Sequence, residues 1–273
     1  MLSKVKEKLF SSDFDKLLNK LKIGENFAFS RFSDGELYVL QNRTLELTPE
    51  GSVIGDQKYP GRYLKEEQKS FIPDQHGEAR DRLVKAFRHR QANYYKGLSC
   101  PCCATKENYE FQFTLAGQPS HLEEFTWANL LINANYPRFL KEMIPEIHKK
   151  PIIIVLNENA RLDSLVANGF NIVKDFRVGT NCFINDYHII EQMRSYIKEN
   201  KIENHVFLVS AASLSNLIIY ELFKEFPNNT FIDIGSTLNP ILGLEGWKDS
   251  REYLMGYWHN RPSEFLQRAC TWA

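Results

Sequence analysis

Apolar and polar positions along this chain alternate between two periods. Short runs rich in β-branched and aromatic residues recur: "FAFSRF" (27–32), "NYYKGLSC" (93–100), "PIIIVLN" (151–157), "NIVKDFRV" (171–178), "HVFLVSA" (205–211) and "TFIDIG" (230–235). Their length and composition predict strands. Between them "GEARDRLVKAFRHRQ", "HLEEFTWANLLINA", "DYHIIEQMRSYIKEN" and "SLSNLIIYELFKEF" repeat apolar residues every three or four positions, which predicts helices with one buried face. Strands that alternate with helices predict an α/β fold, a mostly parallel sheet flanked by helices. No repeat, low-complexity stretch or Pro/Ser-rich linker interrupts the pattern. The expectation is therefore a single domain over 1–273 with helical additions. Segment 3–22 places Val5, Leu9, Phe10, Phe14, Leu17, Leu18 and Leu21 among lysines. It predicts an amphipathic helix, residues 1–22, docked on its own domain in preference to a membrane surface. The turn-rich stretch 48–62, "TPEGSVIGDQKYPGR", predicts a long surface loop.

Composition narrows the function classes. Of 273 residues 43% are hydrophobic, enough for a substantial core. Lys plus Arg equals Asp plus Glu at 34 each, so no bulk field favours a polyanion. No apolar run approaches the roughly 20 residues that span a bilayer, and the start "MLSKVKEKLFSSDF" has charges where a signal peptide needs an apolar stretch. We expect a cytoplasmic protein without stable membrane insertion. The five cysteines, Cys100, Cys102, Cys103, Cys182 and Cys270, are an odd count in a long chain and read as reduced thiols. No second Cys/His pair follows "LSCPCCAT" at the distance a zinc site needs.

Open α/β sheets bind ligands beyond the carboxyl ends of their strands. The junctions there are "SRFSDGE", "LNENAR", "VGTNCFIND", "VSAASLSN" and "DIGSTLNP". None carries the dinucleotide fingerprint or the phosphate loop of NTPases. The first is the richest. Ser33 followed by Glu36 is a capping box, with Asp34 suited to the positive helix start. The same Asp34 and Glu36 form an oxygen-donor pair for a hard cation, Mn²⁺ or Mg²⁺. Residues two apart point the same way only in extended chain, so that reading needs Gly35 to hold the turn open. Arg31 shares an apolar face with Phe27 and Phe29, a position that demands an anion: an acid such as Asp34, or a metal-bound diphosphate. Ser210, Ala211, Ala212 and Ser213 enter a helix and offer amides to a phosphate, or a plain serine cap. Gly235 suits a tight turn, and Asp233, inside a strand, needs a partner. Asn181 is either a base or sugar contact or a turn former. His121, Glu123, Glu124 and Asp186 are acid/base candidates that nothing in the sequence ranks. Tyr253, Tyr257 and Trp258 either stack on a sugar or pack a terminal helix.

The ordered set "FSRFSDGE", "NANYPRFL", "VGTNCFINDY" and "LVSAASLSNLIIYELFKEFPNNTFIDIGSTLNP" resembles the bacterial and phage GT-D-type glycosyltransferases. The resemblance covers most of the chain, although Ser33 stands where many relatives have glycine. It implies a Rossmann-like α/β enzyme that moves a sugar from a nucleoside-diphosphate donor, most simply a UDP-sugar, to a glycan, a protein or a modified nucleobase in DNA. It assigns the metal to Asp34 and Glu36 and a diphosphate contact to Arg31. Asn181, Ser210–Ser213 and Gly235 become donor-site candidates. Two rivals use the same residues: a metal-dependent phosphohydrolase or nucleotidyltransferase, and a non-catalytic nucleotide- or glycan-binding module in which the acids only cap a helix.

Overall fold

The computed structural model describes residues 10–47, 53–54, 67–100, 104–117, 124–244 and 254. In chain order the strands are β1 (Ala28–Phe32), β2 (Leu45–Glu46), β3 (Ser70–Phe71), β4 (Tyr94–Leu98), β5 (Phe125–Trp127), β6 (Ile152–Asn157), β7 (Ile172–Val178), β8 (Val206–Val209) and β9 (Thr230–Asp233). The helices are α1 (Phe10–Ile23), α2 (Asp34–Leu40), α3 (Gly77–Arg88), α4 (Lys106–Leu115), α5 (Tyr136–Arg138), α6 (Ile144–His148), α7 (Asp163–Ala167), α8 (Cys182–Asn185), α9 (Ile189–Glu199) and α10 (Leu214–Glu225). Seven strands form one sheet in the order β5-β4-β1-β9-β8-β6-β7, and every neighbouring pair is parallel. The fold is α/β, as the alternating pattern predicts. β2 and β3 pair separately and antiparallel.

A parallel sheet is covered on both faces, which is why "IIIVL" in β6 is buried without alternation. On one face Ala28, Phe32, Tyr94, Val155 and Phe207 pack with Leu83 and Phe87 of α3 and Leu217 and Phe223 of α10. On the other, Phe27, Phe29, Ile154 and Leu208 meet Phe14, Leu17, Leu18 and Leu21 of α1, with Phe139 and Ile144 beside them. The connections β1→β4, β4→β5, β7→β8 and β8→β9 step one way across the sheet and carry helices on the α10 face. β5→β6 and β6→β7 step the other way and use the α1 face. Direction and face reverse together because right-twisted strands accept crossovers of one hand. Chain leaving β8 and β1 therefore turns to one face, while chain leaving β6 and β9 turns to the other. Crevices open at those partings.

One expected helix is different. In "HLEEFTWANLLINA", Phe125–Trp127 is the edge strand β5, followed by a turn. Three residues are too few to display a period of two. Gly97 explains the fit: a Cβ there would lie 2.8 Å from the Ala128 Cα, so only glycine in β4 lets that backbone pass. Among the described residues no helix is long and apolar enough to cross a membrane. Cys100 and Cys182 are both buried. His121, Glu123, Cys102, Cys103, Cys270, Tyr253, Tyr257, Trp258, residues 1–9 and most of the 48–62 stretch lie outside the described residues.

Candidate functional site

Arg31 ends the apolar face of β1, as the alternation predicts, and is 8% exposed. Its Nε donates to the Ala128 carbonyl at 2.5 Å, so the β5 turn aims the guanidinium toward β9. There Nη1 lies 3.9 Å from Oδ1 of Asp233. Asp233 is held from both sides: Oδ2 accepts the Arg31 amide at 3.2 Å and Oδ1 the Gly235 amide at 3.0 Å. Burial pushes the Asp233 carboxyl up to about 7 and the charge of Glu36 adds to this, while Arg31 and the two amides pull the other way. Gly235 has φ +46, and a Cβ on it would sit 1.7 Å from Arg31 Nη1. The turn needs glycine twice over, for its backbone and for the space the arginine fills. Asn216 of α10 fixes the strand end by donating to Ser30 Oγ at 3.1 Å and to the Arg31 carbonyl at 2.7 Å.

Residues 34–40 are helical from Asp34 onward, so Gly35 does not hold an extended turn open. The capping box is formed, with the Ser33 amide donating to Glu36 Oε2 at 2.9 Å. Asp34 is exposed and Glu36 buried. The other Glu36 oxygen, Oε1, accepts the Ser213 hydroxyl at 2.6 Å, which ties the end of β1 to the start of α10.

The Ser210–Ser213 turn lies where the sequence places it, between β8 and α10, and its groups are partly engaged. The Ser210 amide donates to the Val155 carbonyl at 2.9 Å and the Ala211 amide to Ser215 Oγ at 2.9 Å. Ser210 Oγ donates to the Gly235 carbonyl at 2.8 Å, joining the ends of β8 and β9. Ala212 has φ +46, a left-handed position held by a residue with a Cβ.

Asn181 also sits in the left-handed region, at φ +46, and works as a clasp. Its amide donates to the Glu67 carbonyl at 2.7 Å and its Oδ1 accepts the Ser70 amide at 3.1 Å. Segment 67–71 is thereby strapped beside the site. It brings Lys69, 15% exposed, whose Nζ is 2.9 Å from Glu67 Oε2. A shallow cleft is lined by Lys69, Glu67, Asn181, Ala212 and Ser213 among others. A neighbouring shallow one opens where β6, β7 and β8 end, against Asn157, Gly179, Ser210, Ala211 and Asn239. Asp186 shapes its wall by accepting the Gly179 amide at 2.7 Å. Cys182 lines both clefts, and burial pushes its thiol up to about 12, which keeps it un-ionised at neutral pH.

The structure thus gathers Arg31, Glu36, Ser210, Ala211, Ala212, Ser213 and Gly235 at the parting of β1, β9 and β8. Asn181 and Asp34 stand at its margin. Sequence reasoning missed Lys69 and Glu67. Both fall just past the turn-rich stretch, and the Asn181 clasp together with the pairing of β3 on β2 brings them in.

Among the described residues no group of three His, Cys, Asp or Glu side chains forms a ready metal cage. Two carboxylates are the kind of donor a hard cation shared with phosphate takes, its remaining positions filled by phosphate and water oxygens, but the helix directs Asp34 and Glu36 apart, so both reach one ion only if the first turn of α2 opens. Each Glu36 oxygen has one hydrogen bond and keeps a second lone pair, and Asp34 and Glu36 already act together on the Lys69 ammonium.

No family model matches the chain, and no curated protein matches it. Two solved structures share its fold. The selenomethionine-substituted structure of domain of unknown function 1792 is 12% identical with a TM-score of 0.53, covering 81% of this chain and 76% of that one. A second structure, described as showing that the highly conserved domain of unknown function 1792 has a distinct glycosyltransferase fold, is 13% identical with a TM-score of 0.51 over the same shares, 81% and 76%. This chain is therefore similar in fold to a structure described as a distinct glycosyltransferase fold.

Proposed function

We propose that the protein is a nucleotide-sugar-dependent glycosyltransferase of the GT-D type that its motifs resemble, acting in the cytoplasm on a UDP-sugar donor. One observation carries the reading: a buried arginine and the acids Asp233 and Glu36 meet at the carboxyl ends of adjacent strands, beside an open cleft, on a fold shared with a described glycosyltransferase fold. The nucleoside occupies the cleft at the ends of β6, β7 and β8, with the diphosphate directed to Arg31. The acceptor hydroxyl oxygen bonds to the anomeric carbon as the bond from that carbon to the diphosphate oxygen breaks. The hydroxyl proton passes to a base, and the electron pair leaves with the nucleoside diphosphate. Arg31 meets the charge that grows on this leaving group, and it is already aimed, so little reorganisation is needed. Asp233 and the Ala128 carbonyl hold the guanidinium in place. Mn²⁺ or Mg²⁺ bound by Asp34 and Glu36 would supply further positive charge to the diphosphate. The acceptor is a glycan, a protein or a modified nucleobase, and the balanced net charge favours the first two.

The non-catalytic reading draws support from the completed capping box. Titration calorimetry with UDP and GDP, each with Mn²⁺ and then with excess chelator, separates the two when paired with an assay of UDP release from UDP-sugars. The transferase reading expects metal-dependent binding of one nucleotide and release of that nucleotide coupled to sugar transfer. Binding that ignores chelator and gives no turnover would return Glu36 to capping alone. Release of inorganic phosphate without transfer would identify a phosphohydrolase.

A further inference from the structure

Asn239 is a buried polar side chain whose hydrogen bonds stay open. It is 2% exposed and lines the cleft at the ends of β6, β7 and β8, yet among the described residues nothing pairs with its carboxamide. A buried amide left unpaired costs stability, which a ligand that completes it would recover. Its backbone is held firmly. The Asn239 amide donates to the Ser236 carbonyl at 3.2 Å, the Leu242 amide donates to the Asn239 carbonyl at 3.2 Å, and the Tyr136 hydroxyl pins the same turn at the Thr237 carbonyl at 2.6 Å. Asn157 lines the same cleft from the end of β6. Its Oδ1 accepts the Asn159 amide at 2.9 Å, which fixes the orientation of the side-chain amide and leaves Nδ2 as a donor. Leu156, Val178, Leu242 and Leu244 complete the lining. A planar ring can lie against such apolar side chains while its polar edge meets the two amides.

We propose that Asn239 reads the pairing edge of the donor's base, with Asn157 as its fixed partner, and that the two select a pyrimidine over guanine. This rests on the transferase reading, which puts the nucleoside in this cleft. Asn157 Nδ2 donates to a ring carbonyl. In uracil the next two positions along the edge are an N–H and a second carbonyl, which Asn239 Oδ1 and Nδ2 satisfy. In cytosine they are a bare ring nitrogen and an amino group, satisfied once the Asn239 amide turns over. Guanine sets an N–H and an amino group beside its carbonyl, so Asn239 Nδ2 faces another donor, and a site built to hydrogen-bond rejects a ligand that leaves its buried group unpaired. Adenine has no carbonyl to offer Asn157. The turn that carries Asn239 begins at Gly235, which makes room for Arg31, so one short stretch holds the base reader and seats the diphosphate contact.

The test is titration calorimetry of the whole chain with UDP, CDP and GDP, Mn²⁺ present, beside thermal melts without nucleotide. Wild type should bind UDP about tenfold tighter than GDP or more, with CDP nearer UDP than GDP. Asn239→Leu, close in size, should lose about tenfold or more in UDP affinity and hold UDP and GDP within about threefold of each other. It should also melt no lower than wild type, because the amide it removes has no partner in the protein. A purely structural asparagine would lower the melt and leave the selectivity alone. Asn239→Asp, the same shape with acceptors only, is the second variant: it should give up UDP and shift the ratio toward GDP, whose two adjacent donors suit a carboxylate. Variants that keep the wild-type ratio of UDP to GDP affinity overturn the proposal, whatever their melts, and leave the transferase reading standing. A wild type that binds GDP as tightly as UDP does the same. A wild type that binds none of the three nucleotides removes the transferase reading and the base reader with it.

Discussion

At the scale of single residues, two adjacent turns make opposite use of the left-handed region. Gly235 has φ +46 and no room for a Cβ beside Arg31, while Ala212 has the same φ and carries one. Gly235→Ala should therefore push the guanidinium off Asp233. We expect a loss of stability of about 3 kcal/mol or more in denaturant unfolding, from backbone strain and a disturbed buried pair, together with weaker nucleotide binding. Ala212→Gly should do the reverse and stabilise by about 1 kcal/mol, since the left-handed penalty of its Cβ disappears. An Ala212→Gly protein no more stable than wild type would show that packing of the Ala212 methyl offsets its strain. The sequence displays Gly235 as a turn glycine, but the arginine that fills its missing side chain comes from a strand some two hundred residues away in the chain. Asp233 was legible in the same partial way. A carboxylate in a strand demands a partner, yet only the sheet order, which sets β9 against β1, supplies Arg31.

At the scale of elements, the pattern of apolar positions was most informative where a segment is long. The helices at 77–88, 189–199 and 214–225, and the six strand runs, lie where their periods predict. It failed at β5, whose three residues leave no period to count and whose identity depends on pairing with Lys96, Gly97 and Leu98 of β4. It was also silent about the 67–71 strap. That segment becomes an element by pairing with β2 and by the Asn181 clasp, both remote in sequence. Asn181→Ala should cost about 1–3 kcal/mol, because the Ser70 amide loses its acceptor and a left-handed position loses a residue that tolerates it. The loss should be local. Hydrogen exchange at Ser70 and Phe71 should quicken while the amides of β6 and β8 keep their protection. Equal deprotection of strap and sheet would mean that the clasp supports the whole fold.

At the scale of the whole molecule, Asp233 links the site to global stability. Its carboxyl is buried between the ends of β1 and β9 and titrates near 7 in the folded protein, against about 4 in an unfolded chain. Between those values the folded state keeps a proton that the unfolded state has released. The stability Asp233 contributes is therefore fully present below about pH 4, falls as pH rises, and levels off above about pH 7. Other carboxylates work in the opposite sense: ion pairing holds Glu25, Glu142 and Glu225 below their ordinary range, so what they contribute is lost on acidification. The raw profile mixes both. A difference isolates the one group: denaturant unfolding of wild type and Asp233→Asn at steps from about pH 5 to about pH 7.5. Asparagine cannot ionise, so the gap between the two proteins should change steadily across that range in favour of the variant. A constant offset is expected besides, because the amide presents donors toward the Arg31 and Gly235 N–H groups. Parallel profiles would mean that Asp233 stays ionised throughout, with Arg31 and the two amides outweighing burial. Asp233 would then be a fixed clamp on Arg31, and under the proposed function nucleotide affinity would show no inflection near pH 7. If the profiles converge or cross, Asp233 gains its charge within the working range of pH, and the hold on Arg31 tightens as it does so.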